Sequence, residues 1–269
     1  MSTENNPAPE SFDWQHWVNR WDRMQERYLV GRAARFEIMT RLVRETQASV
    51  TRVVNLGCGP GSLMIQMLTS FPHAQVCGID FDPTILVLAR ARLNQYGDRA
   101  QLILADLRDG TWPQSIPAPV DAVVSATALH WLTTDQLEKA YRQVAQILRP
   151  GGILLNADHV GSPSPEIQQA WVRHREELRA REDTSSGDDW DGFWRAYAEA
   201  LNVDVQEAHQ RIVGGWEGGI EDGLPLAWHL DRLRESGFWA VDCFWRCDCD
   251  AIYGGIRCKP SPLREEKVT

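Results

Sequence analysis

The sequence predicts an α/β fold, a parallel sheet wrapped by helices. Three observations carry that expectation. Val53-Val54-Asn55-Leu56 is a short apolar run that ends in Gly57-Cys58-Gly59-Pro60-Gly61 and passes at once into a helical pattern. From Arg52 to Asn156, short β-branched runs alternate with segments of helical period, as strand–helix–strand units require. The 269 residues, 43% of them apolar, suffice for the core of one large domain with an insertion.

Each element follows from its residues. Trp14, Trp17, Trp21, Met24 and Tyr28 alternate at spacings of three and four, one stripe on a helix spanning residues 11–30. Gly31 ends it, and a second helix is expected from about Ala33 to Gln47. The first strand is Val53–Leu56, with a helix from Ser62 to about Ser70. The second strand is Val76–Ile79. Asp82-Pro83 then opens a helix, with Asp as N-cap and Pro at the first helical position. Leu102–Ala105 and Ala122–Ser125 are the third and fourth strands. Thr133 with Gln136 forms a capping box for a helix ending at Leu148, before Arg149-Pro150-Gly151-Gly152. Ile153–Asn156 is the fifth strand. Helices are then expected from Ser164, over Trp190–Leu201, over Asp204–Val213 and over Leu226–Ser236. The polar run Asp183–Asp189 reads as a loop, and Gly214–Gly219 breaks the helical pattern. Phe238–Arg246 and Ala251–Arg257 read as two strands joined by a short turn. This divides the chain into an N-terminal helical lid (1–48), a ligand-binding core (49–158), a helical cap (159–225), a helix and two strands that complete the sheet (226–258) and a disordered tail (259–269).

Composition narrows the function. A formal net charge of −9 argues against a nucleic-acid substrate, whose binders carry a basic face. No apolar run approaches the ~20 residues of a membrane span. Residues Met1–Glu10 lack the basic-then-apolar layout of a signal peptide, so a cytoplasmic location is expected. The six cysteines are then free thiols. Cys243, Cys247 and Cys249 cluster, but their spacing matches no paired zinc pattern, and no metal is expected.

In such a sheet a ligand lies across the carboxyl ends of the strands. Gly57, Gly59 and Gly61 follow the first strand, where a side chain would fill the ligand's space. Asp80, followed by Phe81, ends the second and offers a carboxylate to a pair of sugar hydroxyls. Asp106-Leu107 follows the third strand, suited to an adenine amine and a ring nitrogen. Thr127-Ala128-Leu129-His130-Trp131 follows the fourth. Five segments, Asn55–Gly61, Gly78–Asp80, Ala105–Leu107, Ala128–Leu132 and Leu148–Gly152, resemble in type and order the motifs of class I S-adenosylmethionine-dependent methyltransferases. The resemblance covers about residues 50–157. It implies a Rossmann-like, seven-stranded, mostly parallel sheet with an antiparallel last strand. It also implies S-adenosylmethionine as cofactor, its methionine part on Asn55, Gly57, Cys58, Gly59 and Gly61, its ribose on Asp80 and its adenine on Asp106 and Leu107, with Phe81 and Thr127 alongside.

Asn55 departs from the family's usual acid; it keeps an acceptor for the cofactor's ammonium group and loses the charge, a difference on the order of 1 kcal/mol. His130 has three readings: base, acceptor contact or loop anchor. His159, after the fifth strand, is a second candidate base. Trp131 either packs or donates its indole N–H to a small acceptor, as a similar segment does in plant-type and insect-type carboxyl methyltransferases. Trp14, Trp17, Trp21 and Tyr28 either dock the first helix or line the acceptor pocket. The expected activity is O-methylation of a carboxylate or hydroxyl on a small molecule. The alternatives are a cofactor-binding protein that does not transfer methyl, and a nicotinamide dehydrogenase, whose Gly-x-Gly-x-x-Gly places the third glycine one residue later.

Overall fold

The computed structural model describes residues 12–29, 31–181, 189–203 and 223–258. The expected tail, the helix over Asp204–Val213, the break at Gly214–Gly219, most of the loop before Asp189 and the side chain of Tyr28 lie outside the described residues.

Seven strands form one sheet: β1 (Arg52–Leu56), β2 (Gln75–Asp80), β3 (Ala100–Leu104), β4 (Val120–Ala126), β5 (Leu148–His159), β6 (Phe238–Cys247) and β7 (Asp250–Arg257). Their order is β3-β2-β1-β4-β5-β7-β6, with β3 to β5 parallel throughout and β7 antiparallel to both β5 and β6. The order reverses between β1 and β4, so the cleft opens at their carboxyl ends. Eight α-helices are described: α1 (Trp14–Tyr28), α2 (Arg32–Thr46), α3 (Ser62–Ser70), α4 (Pro83–Leu93), α5 (Thr134–Ile147), α6 (Pro165–Arg181), α7 (Trp190–Ala200) and α8 (Leu226–Glu235).

Local chemistry sets the ends. Asp82 caps α4 by accepting from the Thr84 N–H, with Pro83 behind it. Thr133 and Gln136 close a reciprocal capping box on α5. β1, β2 and β4 are buried on both faces and read as continuous apolar runs, as parallel strands covered by helices do. Two apolar layers cover the sheet, one centred on Met64, Met67 and Leu68 of α3, the other on Tyr141 and Val144 of α5.

β5 is longer than the sequence pattern implies. It begins at Leu148, paired with Val120, crosses an irregularity at Pro150-Gly151-Gly152 and runs on to His159. The extension past Asn156 comes from β7, whose register places Ile256 opposite Ile153 and Asp250 opposite His159. A non-local partner supplies those hydrogen bonds, so no local signal announces them.

Gly254 of β7 faces β5 with no room for a side chain. A Cβ there would stand 1.9 Å from the Leu154 carbonyl oxygen. Gly254→Ala is therefore expected to destabilise the protein by about 1–3 kcal/mol through overpacking. A fall in the urea midpoint at constant slope checks this; an unchanged midpoint would show that β5 and β7 separate without cost.

Candidate active site

The carboxyl ends of β1, β2 and β4 surround a cavity of about 500 Å³. Gly57, Gly59 and Gly61 all have positive φ (62°, 51° and 84°), a conformation glycine adopts without strain. At Gly57 there is also no room: a Cβ would lie 2.2 Å from that of Ala128. Gly57, Cys58, Gly59, Pro60 and Asn55 line the cavity, while Gly61 instead starts α3.

Asp80 organises this loop. Its Oδ2 accepts from the Gly59 N–H at 2.8 Å and its Oδ1 from the Asp82 N–H at 3.1 Å. An ionised carboxylate has about four lone-pair sites, so two remain for a ligand. Burial pushes the Asp80 carboxyl up to about 6, against the opposing pull of the Asp82 and Gly59 N–H groups. Phe81, Asp106 and Leu107 line the same end. Asp106 is not idle: Arg108 donates to it from its backbone N–H at 2.8 Å and from its guanidinium at 2.6 and 2.9 Å. Those hydrogen bonds outweigh desolvation and lower its carboxyl below the ordinary value. The Arg108 guanidinium also lies 5.4 Å from the centre of the Phe81 ring.

At the other end, Thr127 takes a positive φ of 50° and donates its N–H to Ala157. This left-handed residue, strained for a side chain branched at Cβ, turns the chain from β4 into the short helix Leu129–Trp131. His130 Nδ1 lies 2.7 Å from Asp158 Oδ1, and the His130 N–H donates to Asp158 Oδ2 at 3.1 Å. The His159 N–H adds a third donor at 2.9 Å. Burial alone would raise the Asp158 carboxyl; the charge of and hydrogen bond from His130 overcome it and hold it well below the usual range. His159 has its own carboxylate, Asp250, at 2.8 Å from Nδ1. The two imidazole rings are 5.0 Å apart, and both line the cavity with Trp131.

α1 and α7 close the cavity from above. Trp21, Trp190 and Trp194 line it, and the Trp21 indole lies 3.7 Å from where a Cβ on Gly59 would be. Trp17 packs instead against Phe193 and Tyr197 of α7, and Trp14 against Phe12. Neither is among the lining residues. Four residues of helix rise about 6 Å, enough to carry Trp17 beyond the glycine loop. The sequence reading missed Arg108, Asp158 and Asp250. Asp158 comes just after the expected fifth strand, Ile153–Asn156, as Asp80 comes just after the expected second, Val76–Ile79, and that position was a readable signal. Asp250 had none, because only strand register brings it to the site.

These features define an α/β protein with an adenosyl-type cleft. Residues 53–152 match the family model described as a methyltransferase domain. The chain is 30% identical over 193 residues to a trans-aconitate 2-methyltransferase of Streptomyces avermitilis, covering 69% of each. It is 29% identical over 143 residues to a malonyl-[acyl-carrier protein] O-methyltransferase of Hahella chejuensis, covering 49% of this chain and 47% of that one. It therefore spans about half the length of several curated relatives it matches. A solved methyltransferase-type structure from Methanococcus maripaludis, described as a putative S-adenosylmethionine-dependent enzyme, superposes with a TM-score of 0.52 at 17% identity, covering 97% of this chain and 99% of that one; it shows the shared fold. The chain belongs to the class I S-adenosylmethionine-dependent methyltransferase family. The family's cofactor fits what is present: Gly57 and Gly59 leave backbone bare, Asp80 keeps open acceptor sites, and Asn55 Oδ1 is a buried acceptor without a hydrogen-bond partner among the described residues. Among the described residues no helix is long and apolar enough to cross a membrane.

An ionised carboxylate at position 80 can accept from two sugar hydroxyls at once, and a protonated one cannot offer the same acceptor sites. Affinity for S-adenosylhomocysteine is therefore expected to fall as pH drops through about 6. The stability of the free protein moves the other way. A raised native pKa means that this group's contribution is present at low pH and lost as pH rises through about 6. Titration calorimetry of Asp80→Asn should show affinity reduced about 10- to 100-fold and the pH step gone.

Proposed function

We propose that the chain transfers the methyl group of S-adenosylmethionine to an oxygen of a small acceptor, with His130 as the base. The observation that carries this reading is the 2.7 Å contact from His130 Nδ1 to the buried Asp158 carboxylate, beside the cleft. Asp158 holds the proton on Nδ1 and leaves Nε2 as the ring nitrogen that takes a proton from an acceptor hydroxyl. Bound in the cleft, the cofactor supplies a methyl group already activated on a sulfonium. What remains for the protein is alignment and exclusion of water.

The glycine loop, Asp80 and Asp106 place the adenosyl part in this reading. α1 serves as the lid, with Trp21 over Gly59, and α7 as the cap, with Trp190 and Trp194 closing the acceptor side. A cavity of about 500 Å³ suits a cofactor with a small acceptor, since pockets for single drug-sized ligands span about 300–1,000 Å³.

A carboxylate acceptor is the second reading. It is favoured by the sequence relatives, one named for trans-aconitate and one for malonyl-[acyl-carrier protein]. A carboxylate is ionised at neutral pH and needs no base, so Trp131 would then matter more as a donor than His130 as a base.

Asp158→Asn separates the two. With a hydroxyl acceptor, kcat is expected to fall by about 10²–10⁴-fold while affinity for S-adenosylhomocysteine holds. With a carboxylate acceptor, kcat survives Asp158→Asn, and Trp131→Phe removes binding of the acid. Single-turnover assays with radiolabelled methyl donor, run alongside a thermal melt of each variant, give the answer.

A further inference from the structure

Arg35 is a charged residue of α2, only 3% exposed, far in sequence from the cleft motifs. Its Nη2 lies 2.8 Å from Asp250 Oδ2. Asp250 opens β7 directly opposite His159, the last residue of β5, and its Oδ1 lies 2.8 Å from His159 Nδ1. A guanidinium, a carboxylate and an imidazole thus form a chain from the N-terminal helices into the cavity. A bland reading is that Arg35 and Asp250 only fasten α2 to the sheet. That accounts for one carboxylate oxygen. It leaves unexplained why the other is committed to a ring that lines the cavity 5.0 Å from His130, itself held by a carboxylate in the same manner.

We propose that His159 is a second acceptor-holding imidazole, positioned by Asp250 and through it by Arg35, and that the acceptor presents two oxygens to the histidine pair. The inference rests on the O-methyl transfer reading above and names the class of acceptor for it. The oxygen to be methylated lies at His130, and an oxygen on an adjacent or next-adjacent carbon lies at His159. Catechol-like 1,2-diols and 1,3-diols have this pattern, their second hydroxyl donating to the His159 Nε2 that the Asp250 contact at Nδ1 leaves bare. Rings 5.0 Å apart suit it, because two hydrogen bonds of about 2.8 Å can converge on neighbouring oxygens. One contact leaves an acceptor free to swing; two fix the attacking oxygen in line, where rate is gained from orientation. In the transfer, the O–H bond breaks with its proton going to His130 Nε2. The O–CH3 bond forms, and the S–CH3 bond breaks with its electron pair left on sulfur. His159 keeps its protonation state throughout. Asp250 and Arg35 touch neither acceptor nor donor and are positioning residues.

The test uses the full chain loaded with S-adenosylhomocysteine for binding and with S-adenosylmethionine for turnover. The probes are catechol and 2-(hydroxymethyl)phenol, with two neighbouring hydroxyl oxygens, against phenol, with one. The two-oxygen probes are expected to bind about tenfold or more tighter than phenol. His159→Phe and Asp250→Asn should abolish that preference, raising KM more than they lower kcat, with S-adenosylhomocysteine affinity kept. Arg35→Met should do the same, and Arg35→Lys, which keeps the charge against Asp250, should restore much of it. A variant that only loosened the fold would lower binding of phenol and of S-adenosylhomocysteine as well. The inference is overturned if the preference survives His159→Phe, or if wild-type protein takes neither two-oxygen probe. Methylation of phenol without any preference overturns it while leaving the O-methyl reading intact. Transfer to nitrogen or carbon acceptors alone overturns both.

Discussion

A charge removed from water must be given donors, and the carboxyl edge of this sheet is built around three carboxylates treated that way. Asp80 takes the Gly59 and Asp82 N–H groups and so fixes the glycine loop to the end of β2. Asp158 takes the backbone and ring of His130 and the backbone of His159, tying the turn after β4 to the end of β5. Asp250 takes Arg35 and the ring of His159, tying α2 to the junction of β5 and β7. An isolated buried carboxylate costs several kcal/mol, so each of these must find its donors or change protonation state. The same bonds that satisfy the charges set the positions of the loop and of both imidazoles.

A fourth acid works at the surface of the cleft. Asp22 of α1 accepts from Arg92 of α4 at 2.7 Å, from Arg32 of α2 and from the hydroxyl of Ser62 at the start of α3. Four helices meet at one carboxylate. It holds α1 where Trp21 covers Gly59, while the apolar stripe of α1 is buried with Ile85 and Leu88 of α4 and Phe193 of α7. Packing supplies the area, and the ion pairs choose the angle at which the helix crosses the cleft.

Much of the core was legible because its signals are local. The Gly-x-Gly-x-Gly run, Asp80 at the end of the second strand and Asp82-Pro83 at a helix start are features of a few adjacent residues, and each is where its chemistry requires. The capping box at Thr133 and the extent of α3 are of the same kind. The tryptophan stripe was legible as a helix face but not as a pocket wall. Trp14, Trp17 and Trp21 lie on one stripe, and only the placing of α1 across the loop separates Trp21, which lines the cavity, from the other two, which pack against α7 and Phe12.

What the sequence determined by itself is the alternation of strands and helices, the bare backbone after the first strand and the acids at strand ends, since these depend on periodicity, φ and neighbours within a turn. The tertiary structure alone decided the length of β5, the pairing of His159 with Asp250 and the contact of Arg35 with that same carboxylate. Those contacts join residues 91 and 215 positions apart. They exist because an antiparallel strand inserted beside β5 sets a register, and no local preference of either residue encodes that register.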